Sequence, residues 1–311
     1  MKPHPWYVYL LAVLAMLFWG MSFVWSTIVF EYYDPITTVF LRLVLSTAIL
    51  WVIILLWKKK ERIRKQHAGL FLLSSFFNPF LYFIGENFGL KLTSPTISAV
   101  IIATIPIFTS ITGVVLLHEK LSRMNITGML LSFAGIIVML VKPDMTMLAS
   151  PMGVGFLAMA IAVAVAYSVL LKRLTAHYSA LTIIATQNFI GMWYFLPLFL
   201  IFGLRNFAGV VPDHRLVISL VLLAFFASSL AFVFYTITTR HLGISRTNIF
   251  TNLIPVFTAV FSFFMIGEGF DIPKLTGMAM VLAGVALSQY KNKLGIAGAY
   301  RFIMFNKRKD F

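Results

Sequence analysis

Arg42 and Glu86 are charged side chains that lie well inside long apolar stretches of the sequence. A charge in a hydrocarbon environment costs about 2.5–3.5 kcal/mol on insertion scales, so both side chains must face a protein interior or water. There they can bind an anionic or zwitterionic solute, or Glu86 can carry a proton. The alternative is a static buried ion pair that holds two helices together. The residues alone leave both interpretations open.

Further polar side chains fall in the same apolar stretches. They are Asn78, Tyr82, Asn87, Gln187, Tyr235, Asn248 and Asn252 and, more weakly, Trp19, Ser22, Tyr167 and Asn188. Asn78 and Tyr82 are four residues apart and therefore share one face of a helix. Because an amide in lipid needs a hydrogen-bond partner, these side chains are expected to face other helices. They serve either as interhelical contacts or as the lining of a solute cavity.

The stretches around these residues are too apolar for a soluble protein. Hydrophobic residues make up 60% and charged residues 11% of the 311 positions, against about 45–50% and about 25% in soluble domains. A bilayer core roughly 30 Å thick requires about 20 apolar residues per helix. The sequence predicts ten membrane-spanning helices, at 6–30, 35–57, 68–91, 95–117, 124–141, 151–171, 180–203, 215–238, 244–266 and 273–290. Membrane strands are excluded because they would alternate polar and apolar residues.

Basic residues are distributed unequally between alternate loops. With the N-terminus inside, nineteen Lys and Arg residues fall in cytoplasmic segments and five in outer ones. Cytoplasmic loops are enriched in these residues, so we predict a multi-pass protein of the cell (inner) membrane with both termini cytoplasmic. The net charge of +15 then reflects topology and contact with anionic lipid, and no nucleic acid partner is expected. The basic tail, 291–311, is expected to lie at the cytoplasmic membrane surface.

Residue content argues against several other kinds of chemistry. The chain has no cysteine, hence no thiolate metal site and no cysteine nucleophile. Its six histidines fall in predicted loops or at helix ends, and no phosphate-binding Gly-x-x-x-x-Gly-Lys-Ser/Thr stretch occurs. We therefore expect no catalytic residue, metal or cofactor. An integral-membrane enzyme, or a protein that handles lipid-linked substrates, is the alternative function. Such enzymes usually cluster acids, histidines or arginines at one membrane interface.

The two halves of the sequence are related. At a constant offset of 149 residues, helices three to five match helices eight to ten, as seen for Pro106 and Pro255, Glu119 and Glu268, Gly128 and Gly277, and Gly135 and Gly284. The first two helices match the sixth and seventh more weakly, at an offset near 145. We therefore predict an all-α fold of two five-helix repeats, 6–141 and 151–290. Because five is odd, the second repeat is inverted, as in many transporters.

Pro106 and Pro255 occupy equivalent positions near the centres of the fourth and ninth predicted helices. A proline inside a helix removes a backbone hydrogen bond and bends the helix. Paired interruptions indicate a central binding site, although a tolerated kink is the alternative. Arg42 and Glu86 lie about 10 Å and about 8 Å from the outer ends of their helices, so an ion pair between them is allowed. Their counterparts, Gln187 and Tyr235, are neutral.

Several motifs resemble one family of membrane proteins. They are Phe18-Trp19-Gly20-Met21-Ser22-Phe23, Phe40-Leu41-Arg42-Leu43, Gly89-Leu90-Lys91-Leu92-Thr93-Ser94-Pro95, Pro106 with His118-Glu119-Lys120-Leu121, and Pro255 with Gly267-Glu268. Over roughly residues 6–290 the chain resembles EamA-type permeases of the drug/metabolite transporter superfamily. Ala166 departs from the pattern, since the tryptophan of the first helix has no aromatic counterpart there.

The resemblance implies a secondary transporter of ten helices with cytoplasmic termini. Its solutes would be small metabolites, often amino acids or related compounds, and frequently exported. The expected partners are the solute and membrane lipid, while proton coupling and a homodimer stay open. The resemblance also singles out Glu119 and Glu268, at the ends of the fourth and ninth helices, as capping or gating residues.

Overall fold

Ten apolar helical segments make up the described part of the chain. The computed structural model describes residues 5–58, 61–117, 122–140 and 149–288, and within these ranges it contains no strand. The helices are α1 (Trp6–Val29), α2 (Pro35–Leu56), α3 (Lys65–Lys91), α4 (Pro95–Ile102 and Ile105–Leu117), α5 (Arg123–Leu140), α6 (Pro151–Thr175), α7 (Ala180–Gly209), α8 (His214–Leu242), α9 (Asn248–Ile266) and α10 (Ile272–Ser288). The predicted all-α membrane fold is confirmed.

Eight of these helices are long and apolar enough to cross a membrane, and α4 and α10 are shorter apolar helices. Their bounds agree with the sequence prediction to within a few residues, except that α6, α7 and α8 continue for about one turn or more beyond the predicted ends. Polar residues such as Arg173, Arg205 and Arg240 lie in these extensions. The hydropathy pattern marks where the apolar core ends, whereas the helical backbone continues past it.

Local sequence explains where helices begin and end. The Asp34 carboxylate accepts hydrogen bonds from the backbone N–H groups of Ile36 and Thr37, and Pro35 occupies the first turn of α2. The carboxylate of Asp213 caps α8 in the same way. Such side chains satisfy N–H groups that have no partner inside the helix. At the other end, α9 stops at Gly267, whose φ of 67° lies in the left-handed region that favours glycine.

The packing of the helices has two-fold pseudo-symmetry. The pairs α5–α10 and α2–α7 each join equivalent helices of the two halves. The α1–α9 contact is matched by α6–α4, and the α3–α6 contact by α8–α1. Each contact thus has its counterpart in the other half, which is the arrangement expected of two inverted five-helix repeats.

Four glycines allow α5 and α10 to cross in backbone contact. A Cβ atom added to Gly128 would lie 2.6 Å from the carbonyl oxygen of Gly284, and one added to Gly135 would lie 2.7 Å from that of Gly277. The offset of 149 residues relates Gly128 to Gly277 and Gly135 to Gly284, so it converts one of these contacts into the other. Small residues are what permits such close helix packing in membranes. The repeated glycines therefore have a packing role at the pseudo-symmetry axis.

The loops that connect the helices lie on two opposite faces of the bundle, and loops on the same face contact one another. On the first, which we call the Glu31 face, Glu31 forms an ion pair with Arg215 at 2.9 Å, and the Tyr32 hydroxyl donates to Asp213 at 2.6 Å. That hydrogen bond, with one from the Leu216 backbone, holds the pKa of Asp213 below its usual value. The α3–α4 and α9–α10 connections meet on this same face, where the Thr96 hydroxyl donates a hydrogen bond to Glu268 at 2.7 Å.

On the opposite face, which we call the Glu61 face, the α2–α3 and α6–α7 loops meet. The Glu61 carboxylate accepts a hydrogen bond from the backbone N–H of Ser179 at 3.0 Å. His67 Nδ1 and the Tyr178 hydroxyl are 2.8 Å apart. Alternate loops thus lie on opposite faces, as the sequence predicts.

Both α4 and α9 are interrupted at equivalent positions. In α4 the helix breaks at Ala103 and Thr104, and Pro106 lies in the first turn of the segment that follows. In α9 a 3-10 turn precedes a helix that starts at Leu253, with Pro255 in its first turn. The sequence predicted a kink at each proline, whereas the structure has a break just before it. Each proline lies in the first turn of the segment that follows, where the N–H group that proline lacks would have no partner inside the helix.

A second pair of interruptions lies in α3 and α8, at positions that also correspond under the offset of 149. In α3, Phe76–Leu81 is π-helical, Asn78 has extended backbone angles, and the Asn78–Pro79 peptide bond is cis. In α8, Leu223–Ala231 is π-helical. Irregular backbone at membrane depth is tolerated where it is buried in protein or lines a cavity. Buried residues lie at each of the four interruptions, as this rule requires.

Candidate functional site

A central cavity of about 70 Å³ lies between the two halves. Its polar lining consists of Ser22, Arg42, Asn78, Tyr82, Glu86, Tyr167, Ser168, Tyr235, Asn248 and Thr251. Its aromatic and aliphatic lining consists of Trp19, Phe23, Phe83, Ile102, Ile105, Ala164, Phe232 and Ile254. These residues come from seven helices, α1 to α4, α6, α8 and α9. The volume fits a few water molecules, so the cavity is small in this conformation.

The cavity lies on the pseudo-symmetry axis. Residues that correspond under the offset of 149 line it from opposite sides: Phe83 and Phe232, Glu86 and Tyr235, Ile102 and Thr251, Ile105 and Ile254. The last two pairs flank the breaks in α4 and α9. A site in this position is where inverted-repeat transporters bind their solutes, at the interface between repeats.

Arg42 is held in place by neutral partners. Its side chain is 2% exposed, its Nε donates to the Ser228 hydroxyl at 2.7 Å, and its guanidinium carbon lies 4.4 Å from the centre of the Phe83 ring. The Ser228 carbonyl accepts a hydrogen bond from Asn188, which also donates to Ser46. A cation over an aromatic face is stabilised by the ring quadrupole. The guanidinium is thereby fixed at the cavity wall without a bonded carboxylate.

Glu86 accepts a hydrogen bond from the Tyr82 hydroxyl at 2.8 Å. Asn87 lies at 3.5 Å from its other carboxylate oxygen. The ion pair with Arg42 that the sequence allows is not formed in the described residues, where Glu31–Arg215 and Glu268–Lys274 are the ion pairs. Both charges nevertheless line the same cavity. The other N–H groups of the Arg42 guanidinium and the remaining lone pairs of the Glu86 carboxylate can form hydrogen bonds to a solute.

Four of the sequence candidates do not line this cavity: Asn188, whose hydrogen bonds are given above, Gln187, Asn87 and Asn252. Gln187 accepts a hydrogen bond from the Tyr167 hydroxyl and donates to Ser74, both at 3.0 Å. Asn87 donates to the backbone carbonyl of Phe83. Asn252 also lies outside the lining, and its Oδ1 atom has no hydrogen-bond partner among the described residues. The sequence allowed either an interhelical contact or a cavity-lining role for Gln187, and the geometry supports the interhelical contact.

Sequence reasoning missed two features of the site. One is the break at Asn78–Pro79, although Pro79 is visible as a proline inside an apolar stretch. The other is the serine set around Arg42, in which Ser46 and Ser229 hydroxyls lie 2.7 Å apart. Serines are common in membrane helices and bond locally to backbone carbonyls, so no signal in the sequence distinguished these.

Glu268 fastens the end of α9 to the start of α4 on the Glu31 face. Its carboxylate accepts hydrogen bonds from the Lys274 ammonium and from the Thr96 hydroxyl. Burial on its own would raise the pKa of Glu268, but the hydrogen bonds from Lys274, Ser94 and Thr96 outweigh it, and the pKa is lowered. Its counterpart Glu119 lies outside the described residues.

Replacing Glu268 with glutamine should lower the stability of the folded protein by about 1 kcal/mol near neutral pH, a value discounted for partial exposure. Because the folded-state pKa lies below the usual 4.5, this contribution is present above pH 4.5 and is lost as the pH falls through the folded value. Thermal melting in detergent at neutral and acidic pH measures it. A difference between wild type and variant that is the same at both pH values would contradict this account.

Comparisons with known proteins agree with this architecture. The sequence profile of the EamA-like transporter family matches residues 6–141 and again 151–290. An uncharacterized transporter of Archaeoglobus fulgidus is 26% identical over 291 residues, covering 91% of this chain and 97% of the relative. The uncharacterized transporter YetK of Bacillus subtilis is also 26% identical, covering 92% and 87%. The relative YyaM of Bacillus subtilis is 24% identical, covering 97% of both chains.

A solved crystal structure has a similar fold. It superimposes with a TM-score of 0.63 at 16% identity and covers 88% of this chain and 97% of its own. At that identity the likeness speaks for the fold alone. The family profile, in contrast, matches nearly all of the helical chain in two consecutive copies. The protein therefore belongs to the EamA-like transporter family and is a multi-pass membrane transporter.

Proposed function

We propose that the protein is a secondary transporter that exports small metabolites, such as amino acids or related compounds, by alternating access. The observation that carries this proposal is the cavity on the pseudo-symmetry axis, which Arg42 and Glu86 line from neighbouring helices. Buried charges at membrane depth are costly and are kept where they serve a solute or ion pathway. Nothing in this site requires a catalytic residue, metal or cofactor.

The chemistry of the lining fits a zwitterionic solute. Arg42 offers a fixed cation to a carboxylate, and Glu86 offers an anion to an ammonium group. The rings of Trp19, Phe83 and Phe232 line the same space and provide apolar surface for the remainder of the solute. We propose Arg42, Glu86, Asn78, Tyr82 and Tyr235 as the residues that contact it, with a proton on Glu86 as the coupling ion.

The paired interruptions support an alternating-access cycle. The breaks in α3, α4 and α9 border the cavity, and the one in α8 ends directly before Phe232, which lines it. Segments on either side of a break can change angle without breaking a continuous hydrogen-bonded helix. Because the two repeats are inverted, the same movement made by the other repeat opens the cavity to the opposite face.

We propose that the Glu61 face is cytoplasmic. The exposed residues Lys58, Arg62 and Arg64 lie in its α2–α3 loop, and the exposed Lys65 begins α3, in keeping with the positive-inside rule. Both termini and the tail 291–311 would then be cytoplasmic, in an inner membrane, with repeats at 6–141 and 151–290. Accessibility labelling of single cysteines placed at Arg62 and Glu31 would test this, since the chain has no native cysteine.

Transport itself is tested by reconstitution into liposomes. Purified protein should exchange labelled amino acids for unlabelled ones across the membrane, and an imposed proton gradient should drive net movement. Protein-free liposomes and liposomes with heat-denatured protein are the controls. Exchange that is absent for amino acids and for related amines and carboxylates would contradict the proposed solute class. Retention of binding without any exchange would contradict the transport mechanism.

An enzyme that acts on lipid-linked substrates is the alternative. Such an enzyme would place its polar residues at one membrane interface, whereas Arg42 and Glu86 line an interior cavity. The relatives named above are also described as transporters. We therefore favour the transporter.

A further inference from the structure

A second cavity, separate from the central one, opens between the end of α2 and the start of α7. It has a volume of about 300 Å³. Its lining consists of Trp51, Ile54, Glu61, Ile63, Thr182, Thr186, Phe189 and Ile190. We call it the α2–α7 groove. Phe189 is 41% exposed, so the groove is bordered by a side chain on the outer surface of the bundle, where the hydrocarbon of a membrane would lie.

The groove runs from the Glu61 face into one leaflet. Along α7 it extends from Thr182 to Ile190, near the tenth residue of the helix, which corresponds to a depth of about 15 Å. This is half of a hydrocarbon core roughly 30 Å thick. Apart from Glu61 and two threonines, its lining is apolar. The dimensions and the chemistry thus match the acyl chain of a lipid that belongs to this leaflet.

The mouth of the groove carries charges of both signs. Glu61 is fixed there by the hydrogen bond that it accepts from the Ser179 backbone, and its side chain lines the groove. Lys58 and Arg62 are exposed in the same short loop. A primary ammonium group can donate hydrogen bonds to a carboxylate, and a phosphate pairs with Lys or Arg. The exposed basic residues of this loop attract the phosphate of any phospholipid, whereas Glu61, the charged residue that lines the groove, favours a headgroup that also carries an ammonium group.

The groove is a feature of one face and is not repeated by the pseudo-symmetry. At the offset of 145, Ile54 corresponds to Phe199 near the other end of α7. There Phe199 stacks on Phe40 with ring centres 4.4 Å apart, and Phe207 packs against Phe199 with ring centres 5.7 Å apart. Aromatic side chains fill this position on the Glu31 face. The open groove on the Glu61 face is therefore not a general consequence of how α2 and α7 cross.

We propose that the α2–α7 groove binds one phospholipid with a primary-amine headgroup. One acyl chain lies along Trp51, Ile54 and Ile190, the ammonium group binds Glu61, and the phosphate lies near Lys58 and Arg62. The lipid contacts both α2 and α7, which are equivalent helices of the two halves. Its binding stabilises the contact between the halves on this face. The proposal is independent of which solute the central cavity accepts.

Native mass spectrometry and thermal melting of the full-length, delipidated protein in detergent test this proposal. The probes are phosphatidylethanolamine, phosphatidylcholine and phosphatidylglycerol with identical acyl chains. We expect one phosphatidylethanolamine to bind, and to raise the melting temperature, at about tenfold lower concentration than the other two lipids. Glu61→Gln should abolish this preference while leaving binding of the acyl chains. Glu31→Gln, on the opposite face, should change nothing.

A second variant tests the groove itself. Thr186→Phe places a ring in the groove and should abolish the single tightly bound lipid, whatever its headgroup. Equal affinity for all three lipids in the wild-type protein, or an unchanged lipid stoichiometry in Thr186→Phe, would overturn the proposal. A dimer that dissociates in Thr186→Phe would also overturn it, because a second copy of the chain would then be the occupant.

Discussion

Replacing Glu86 with glutamine is expected to reduce solute exchange at least about tenfold, because a hydrogen bond to a charged group contributes about 1.5–3 kcal/mol and about 1.4 kcal/mol is tenfold in affinity. Glutamine keeps the size of the side chain and still accepts the hydrogen bond from Tyr82. It neither attracts an ammonium group nor carries a proton. The remaining exchange should therefore lose its dependence on pH. Counterflow into liposomes between pH 5.5 and 8 measures both effects.

Glu31→Gln is the matched control for this variant. Glu31 forms an ion pair with Arg215, but both side chains are about half exposed on the surface, and such pairs contribute little. Its pH profile should equal that of the wild-type protein, and its exchange rate should change far less than that of Glu86→Gln. If Glu86→Gln lowers the melting temperature but keeps normal exchange and a normal pH profile, Glu86 is a structural residue and the proposed role is wrong.

Substituting alanine for Gly284 should have the largest effect on folding. The added methyl group would lie 2.6 Å from the carbonyl oxygen of Gly128 and 2.5 Å from the backbone nitrogen of Ser132. Backbone atoms of a packed helix do not move aside easily, and overpacking of this kind costs about 1–3 kcal/mol or more. We expect a lower yield of folded protein and a lower melting temperature in detergent. Gly135→Ala should behave in the same way.

Gly155→Ala controls for the intrinsic effect of the substitution. Gly155 lies in α6 and has no atom within 4 Å of an added Cβ. Because alanine is favoured over glycine in a helix by about 1 kcal/mol, this variant should be as stable as the wild-type protein or slightly more stable. Equal stability of Gly284→Ala and Gly155→Ala would show that the α5–α10 crossing is not held in backbone contact.

The helices were predictable because a bilayer imposes length and apolar character on every segment that crosses it. The α5–α10 crossing was only half predictable. The offset of 149 residues exposed Gly128, Gly135, Gly277 and Gly284 as a repeated set. That they face one another across the axis follows from tertiary packing, which a periodicity in one chain does not encode.

The cavity, too, could be predicted only in part from the sequence. Charge and apolar context identified Arg42 and Glu86, since few arrangements tolerate a charge at membrane depth. Their partners did not follow, because a serine such as Ser228 leaves no trace in hydropathy. The break at Ala103, one turn before Pro106, also depends on how α4 packs. A proline signals that the helix is interrupted nearby, but the packing selects the residue at which the chain departs from helical geometry.

The loop contacts on the two faces occupy related positions, Glu31–Arg215 and Tyr32–Asp213 on one side and Glu61–Ser179 and His67–Tyr178 on the other. Under the proposed cycle, each set is complete only while its own side is closed. The two sets therefore compete within one equilibrium, and about 1.4 kcal/mol of difference changes the population ratio tenfold. The resting orientation of the empty protein would then be adjusted by substitutions in the loops, without any change to the residues that line the cavity.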